Sequence, residues 1–317
     1  MMLARVADSL YWIGRYIERA EHVSRLSAVM LNATLDRTVG AEQTGRIGLA
    51  ALGETDIGRA DQTYAAARDL VLDREDSGSV IMSLANAREN ARQVRDQITT
   101  ETWERLNLLY LRVTGADVAE HFDDDPAGFL QEVIADLHLF RGAADTTLSH
   151  GEGWRFLLLG CYIERAQLIA RLMEVCFSDG KTPAVTEPIA LMSVLRMACA
   201  LEPYLRVYTA DINPRFILEF LMFDEDFPRS IRFCTARIQD YLTELTRVAG
   251  ASRSDALRLS GRLDARLKYA DVEEVEASGA GALLAAVGAE CEAIHEAIYE
   301  TFVTYPLELS LTSGRAA

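Results

Sequence analysis

The sequence predicts an all-α protein, a multi-helix bundle built from two similar halves with no sheet. Three observations lead there. No convincing strand occurs anywhere in the 317 residues. A helix-patterned stretch occurs twice, as SLYWIGRYIERAEHVSRL over residues 9–26 and as LLLGCYIERAQLIARL over residues 157–172. Gly14, Tyr16, Ile17, Glu18, Arg19, Ala20, Arg25 and Leu26 all recur 146 positions later. That interval is near half the chain, which suggests two similar units packed together and not a solenoid, whose period is roughly 20–50 residues.

Both copies read as helix because they lack internal Pro and space their apolar residues at i, i+3 and i+4. Ile13, Tyr16, Ile17, Ala20 and Val23 share one broad face, while Gly14, Glu18, Glu21 and Arg25 form a separate ridge. Arg15, Arg19 and His22 add charge beside the ridge in the first copy. In the second copy Cys161 and Leu168 replace Arg15 and His22, so that ridge, Gly160, Glu164, Gln167 and Arg171, runs between apolar flanks. A helix apolar almost all round is buried, and a buried carboxylate must be paired or protonated. Glu18 and Glu164 are therefore the residues to explain first. Gly costs about 0.5–1 kcal/mol against Ala inside a helix, so Gly14 and Gly160 point to a close approach by another backbone or a ligand.

In chain order, helix 1 spans residues 3 to about 36, and 38–61 is a polar connection with short helical pieces. A short helix covers 62–72. Ser77 or Ser79 then caps a long helix to about 113, whose Arg88, Arg92 and Arg95 make one charged stripe. HFDDDP, 121–126, is an acidic loop with a helix cap before Pro126. Helices follow at 129–148 and, after SHGEG, at 154–177. Residues 178–187 (SDGKTPAVTE) read as the linker between a first half, 1–177, and a second helical region, 188–317. Asn213–Pro214 and Asp226–Pro228 each look like a cap followed by Pro in the first turn. Helices are expected at 188–200, 215–222, 228–246, 252–267 and 281–303, with a loose tail beyond Pro306.

A net charge of −16 argues against a sequence-independent grip on nucleic acid or on an anionic membrane. No signal-peptide pattern opens the chain and no 18-residue apolar run occurs, so a cytoplasmic protein without a membrane span is expected. The five cysteines are scattered, without a C-x-x-C pair, and read as buried free thiols. A di-metal carboxylate bundle needs two E-x-x-H pairs; this chain has one, Glu292–His295, so neither a metal nor a cofactor is expected. Phosphate loops of P-loop or Rossmann type and the G-x-S-x-G elbow are also missing.

The blocks SLYWIGRYIERAEHVSRL, ARENARQVRDQI and NPRFILEFLMFDEDFPRSIRFC, in this order, resemble the bacterial alpha-E domain family over essentially the whole chain. The family is helical and named for helix glutamates, which match Glu18 and Glu164. The resemblance implies no established activity. Through gene context it implies partners, a circularly permuted ATP-grasp protein and a transglutaminase-like cysteine protease, in a system of peptide synthesis or trimming.

The expected function is thus a non-catalytic binding or scaffold component of such a system. Glu18 and Glu164 would meet cationic groups, and Arg25, Arg171, Arg88 and Arg92 anionic ones, either holding the halves together or binding a peptide-like ligand. The alternative is an enzyme that uses the two glutamates as acid and base or as metal ligands. Whether the chain forms a homo-oligomer is open.

Overall fold

A computed structural model describes residues 2–35, 40–54, 62–177, 184–209, 211–249 and 254–304. Among the described residues the regular structure is helical, with no strand. The first elements are α1 (Ala4–Leu35), α2 (Ala41–Ala51), α3 (Thr63–Leu72), α4 (Val80–Gln93), α5 (Thr100–Thr114), α6 (Val118–Asp124) and α7 (Pro126–Thr147). Then come α8 (Glu152–Phe177), α9 (Pro188–Met197), α10 (Leu201–Tyr208), α11 (Pro214–Phe223), α12 (Ile231–Ala249), α13 (Asp255–Lys268), α14 (Val272–Ser278) and α15 (Ala280–Ile298). A π-helical turn, Tyr299–Val303, follows α15.

These elements form two series in the same order. α1, α4, α5 and α7 pack in a closed ring, each against the next, and α8, α12, α13 and α15 do the same. Local chemistry repeats with the elements. The Ser79 hydroxyl caps α4 by accepting from the Met82 N–H and donates to the Asp73 carbonyl. Ser230, 151 residues on, caps α12 through Phe233 and donates to the Asp224 carbonyl. Gly53, just past α2, takes a left-handed φ of +84°, and Cys199, 146 residues later and just past α9, takes φ 56°. A left-handed backbone is uncommon for a residue with a β-carbon, so Cys199 adopting it where the first series has Gly53 marks a shared backbone path.

The order of elements groups α8 with the second series, so the seam between the series falls at 148–151. The division expected at 178–187 lies instead between α8 and α9, and residues 178–183 of it are outside the described residues. Its counterpart in the first series is the joint between α1 and α2.

Several boundaries differ from the sequence reading for local reasons. The long helix expected to 113 breaks after α4, because the Thr99 hydroxyl accepts from the Thr102 N–H and starts α5 afresh. HFDDDP is helical through Asp124, and Asp125 caps α7 by accepting from the Gly128 N–H, with Pro126 in the first turn. α12 is capped by Ser230 and not by Asp226; the Asp224 carboxylate instead closes the preceding turn on the N–H groups of Asp226 and Phe227. Asn213 caps α11 as its sequence suggests. The short helices α6, α10 and α14, of 7, 8 and 7 residues, span only about two turns each, too few for a helical period to announce itself. The expected stop at Tyr305–Pro306 lies outside the described residues.

The rings meet where α1 and α8 lie side by side in the same direction. The glycines decide how closely. A β-carbon on Gly14 would lie 1.9 Å from the Leu157 carbonyl oxygen, and one on Gly160 would lie 2.0 Å from the Tyr11 carbonyl oxygen. Leu157 is itself Tyr11 displaced by 146, so the contact is reciprocal. Removing both side chains lets the backbones touch. Around the crossing, Tyr11, Ile13, Ile17, Ala20, Ile163 and Ala166 are all buried. Among the described residues no single helix is long and apolar enough to cross a membrane.

Gly14→Ala and Gly160→Ala force the helices apart and should each cost at least 1–3 kcal/mol in chemical denaturation, the typical toll of overpacking a filled core. Gly142→Ala, where a β-carbon meets nothing within 4 Å, should be neutral or stabilise by up to about 1 kcal/mol. Equal effects at all three positions would contradict the close crossing.

Candidate functional site

Each helix at the crossing carries a Glu–Arg dipeptide one turn beyond its glycine. Because the helices run parallel and in register, the arginine of each reaches the glutamate of the other. Arg165 grips Glu18 with two bonds, from Nε at 2.8 Å and from Nη2 at 2.7 Å. In return, Arg19 Nε donates to Glu164 at 2.7 Å. Arg15 Nε fills the second Glu164 oxygen at 2.6 Å, and its Nη2 donates to Gln167 at 2.7 Å.

Two further arginines arrive from distant parts of the chain. Arg229, in the turn before α12, donates through Nη1 to Glu18 at 3.2 Å and through Nη2 to Glu21. Arg141, on α7, bonds Glu18 and reaches Glu21 from Nη1 at 2.7 Å. Arg25 donates to Glu21 at 3.0 Å, and His138 Nε2 lies 3.3 Å from the same oxygen. Three buried carboxylates thus meet six guanidiniums. Glu18 and Glu21 have no solvent exposure and Glu164 is 3 % exposed. Carboxylates this deep survive ionised only if paired, and the planar guanidinium fork suits the task.

The electrostatics follow. Burial by itself would raise the Glu18 carboxyl, but Arg141, Arg165 and Arg229 outweigh it and hold the group at about 2. Glu21 is likewise held well below its ordinary value, against burial, chiefly by Arg141 and Arg229, and Glu164 is lowered by Arg15 and Arg19. His22, 1 % exposed, stands where the second copy has Leu168. Burial and then the charge of Arg229 lower it to about 4.

Of the residues singled out in the sequence, Glu18, Glu164 and Arg25 come together, although Arg25 serves Glu21. Arg88 and Arg92 do not join them. The face of α4 that packs on α1 is apolar, Val80, Ile81, Leu84, Ala87 and Ala91, so its arginines point elsewhere. Arg88 bonds Asn107 at 2.8 Å and lies 4.6 Å from the centre of the Tyr110 ring. Arg92 pairs with Glu89 at the surface, at 2.6 Å. Arg171 lines a surface cleft and makes no hydrogen bond or ion pair among the described residues. Arg19 and Arg165 were legible as half of a repeated dipeptide; Arg141 and Arg229 carry no local signal.

The isolated E-x-x-H pair is divided between two tasks. Glu292 accepts from Gln167 at 3.1 Å, and His295 Nδ1 lies 2.8 Å from the Tyr11 hydroxyl. Among the described residues no three His, Cys, Asp or Glu are grouped to hold a metal ion. The cysteines are free, and burial pushes the thiols of Cys176, Cys234 and Cys291 up to about 12 and that of Cys161 to about 11.

Two clefts flank the clamp. One, of about 360 Å³, is walled by Trp154, Tyr162 and Tyr241 and floored by Arg141 and Arg165. The other, of about 310 Å³, lies on the opposite flank against Arg15, Arg19 and Arg171.

A family model named Alpha-E, described as "a predicted alpha-helical domain with a conserved ER motif", matches residues 2–303, and the chain belongs to that family. Uncharacterized proteins of Mycobacterium bovis and Mycobacterium tuberculosis are 26 % identical to it over 98 % of its length. The chain spans 37 % of the length of these curated relatives. No solved structure matches.

The buried ionisable groups give stability a defined pH dependence. The folded-state pKa of His22, about 4, is depressed from 6.5. The unfolded chain therefore takes up a proton that the folded one refuses, and stability falls as pH drops from about 6.5 to about 4. The loss is on the order of 3 kcal/mol. Glu18, about 2 against an ordinary 4.5, adds a second decline from about pH 4.5 toward 2. Denaturant unfolding across this range should show both, and His22→Leu should remove most of the upper one, leaving the smaller part that comes from His295, which burial and Arg15 also lower. A wild-type profile flat between pH 6.5 and 5 would contradict the assignment.

Proposed function

We propose that this Alpha-E protein is a non-catalytic binding or scaffold component of a bacterial peptide-forming system that contains a circularly permuted ATP-grasp ligase and a transglutaminase-like protease. The observation that carries the reading is the saturation of the clamp. Glu18 and Glu164 accept from arginines at every oxygen, and their pKa values are held down. A general acid or base has a pKa near the working pH; these carboxylates stay ionised far below it. Using them as metal ligands would mean breaking guanidinium bonds first. The rival reading, an enzyme with the glutamates as acid and base or as metal ligands, is disfavoured on both grounds. Buried thiols with raised pKa values are equally poor nucleophiles.

What the clamp does instead is fix two helical rings against one another, and so fix the surfaces they present. The matched relatives are much longer than this chain, which supports a unit that works beside other domains. The partners themselves come from the family resemblance. The reading also takes the protein to be cytoplasmic, where a ligase would find ATP.

Affinity capture of the tagged chain from its native host, at native expression and read by mass spectrometry, tests this. Stoichiometric recovery of an ATP-grasp or a transglutaminase-like protein is the expected result. Recovery of the chain alone under gentle lysis would overturn a stable partnership.

A further inference from the structure

The two series place the same structural position on either side of the crossing, and only one of the two is filled. In the filled position Arg229 inserts between Glu18 and Glu21, 7 % exposed and fully paired. Its neighbours there are apolar, with Phe227 and Pro228 preceding it in the turn. The matching turn of the first series, 151 residues earlier, reads Asp76, Ser77, Gly78. It has the same backbone, since Ser79 and Ser230 make the same bonds. Gly78 has no side chain to insert. The space that Arg229 occupies on one flank is therefore an open cleft of about 310 Å³ on the other.

The remaining substitutions between the two positions are as pointed. Gln167 stands where Glu21 stands, so Arg171, the counterpart of Arg25, has lost the carboxylate that Arg25 holds at 3.0 Å. Arg171 has no hydrogen-bond or ion-pair partner among the described residues and faces the cleft. Glu54 replaces the small Ala200, and Asp76 replaces Phe227, so two carboxylates enter from the turns. Guanidiniums line the cleft from α1 and α8, and carboxylates from the two turns and from Glu164 and Glu292 on the helices.

The geometry points to a binding site for a zwitterion of the amino-acid or short-peptide class. The ligand's carboxylate replaces the missing Glu21 against Arg171, and its ammonium meets Asp76 and Glu54 where Arg229's charge would otherwise sit. A polyanion is disfavoured because Glu54, Asp76, Glu164 and Glu292 also line the space. A simple cation is disfavoured by the three arginines. A ligand with both charges pairs Arg171 and the carboxylates of the turns at once. This inference stands on the cleft and not on the partner reading, and its test uses the isolated chain.

Diglycine is the probe, titrated calorimetrically into the purified chain at low salt, beside N-acetyl-diglycine, which lacks the ammonium, and diglycinamide, which lacks the carboxylate. Saturable binding of diglycine is expected, with each blocked analogue at least about tenfold weaker. Gly78→Arg, which installs the plug that the other flank carries, should abolish binding while leaving the thermal unfolding temperature within a few degrees. Arg171→Ala is the second variant, at an exposed position, and should weaken binding without touching the clamp. No diglycine binding by the wild type, equal binding of the acetylated form, or binding that survives both substitutions would each overturn the site.

Discussion

The fold depends on one constraint: a carboxylate taken out of water inside a helical bundle has to be met by cations. Glu18, Glu21 and Glu164 are buried at the centre of this protein, and everything around them can be read as the answer to that requirement. Gly14 and Gly160 bring α1 and α8 so close that side chains on one reach the other without spanning a gap. The parallel register then lets one dipeptide do two jobs, its glutamate accepting from the neighbour's arginine and its arginine donating to the neighbour's glutamate. Arg141 and Arg229 complete the set from α7 and from the turn before α12, tying each ring into the crossing. A buried ion pair is weak evidence of added stability, but losing one partner is severe. The clamp is best seen as specifying which way the rings dock.

The two series of helices match in some respects and depart from each other in others. The two series share element order, caps and even a left-handed residue after the second helix. They differ at the flanks of the crossing. One flank holds Glu21, His22, Arg25 and Arg229, closed and with its carboxylate paired. The other holds Gln167, Leu168, Arg171 and Gly78 and is open, and Arg171 makes no hydrogen bond there among the described residues.

Much of this was legible in the sequence, and what was not had a physical cause. The helical class, the repeat at 146, and the need to explain Glu18 and Glu164 all follow from periodicity and from the cost of burying charge. The two glycines announced a close approach. The partners of the glutamates did not announce themselves. Arg88 and Arg92 made a regular stripe, but a stripe says only which residues share a face, and that face turns away from α1. Arg141 is one charge on a long helix, and Arg229 sits in a turn 211 residues from Glu18; nothing local marks either. The turn between α7 and α8 is quiet in the sequence for a similar reason. A linker rich in turn formers stands out more than the short turn at 148–151, although the latter separates the repeats.

The central claim is that the dipeptides pair crosswise. A double-mutant cycle measured by chemical denaturation tests it most directly, with Glu18→Gln, Arg165→Gln and the double variant. Direct pairing gives a coupling energy of about 1–3 kcal/mol between these positions. The same cycle on Glu18 and Arg92, which pairs with Glu89 at the surface outside the clamp, should be additive within about 0.5 kcal/mol. Additivity between Glu18 and Arg165, or equal coupling of Glu18 with Arg92, would contradict the crossed clamp.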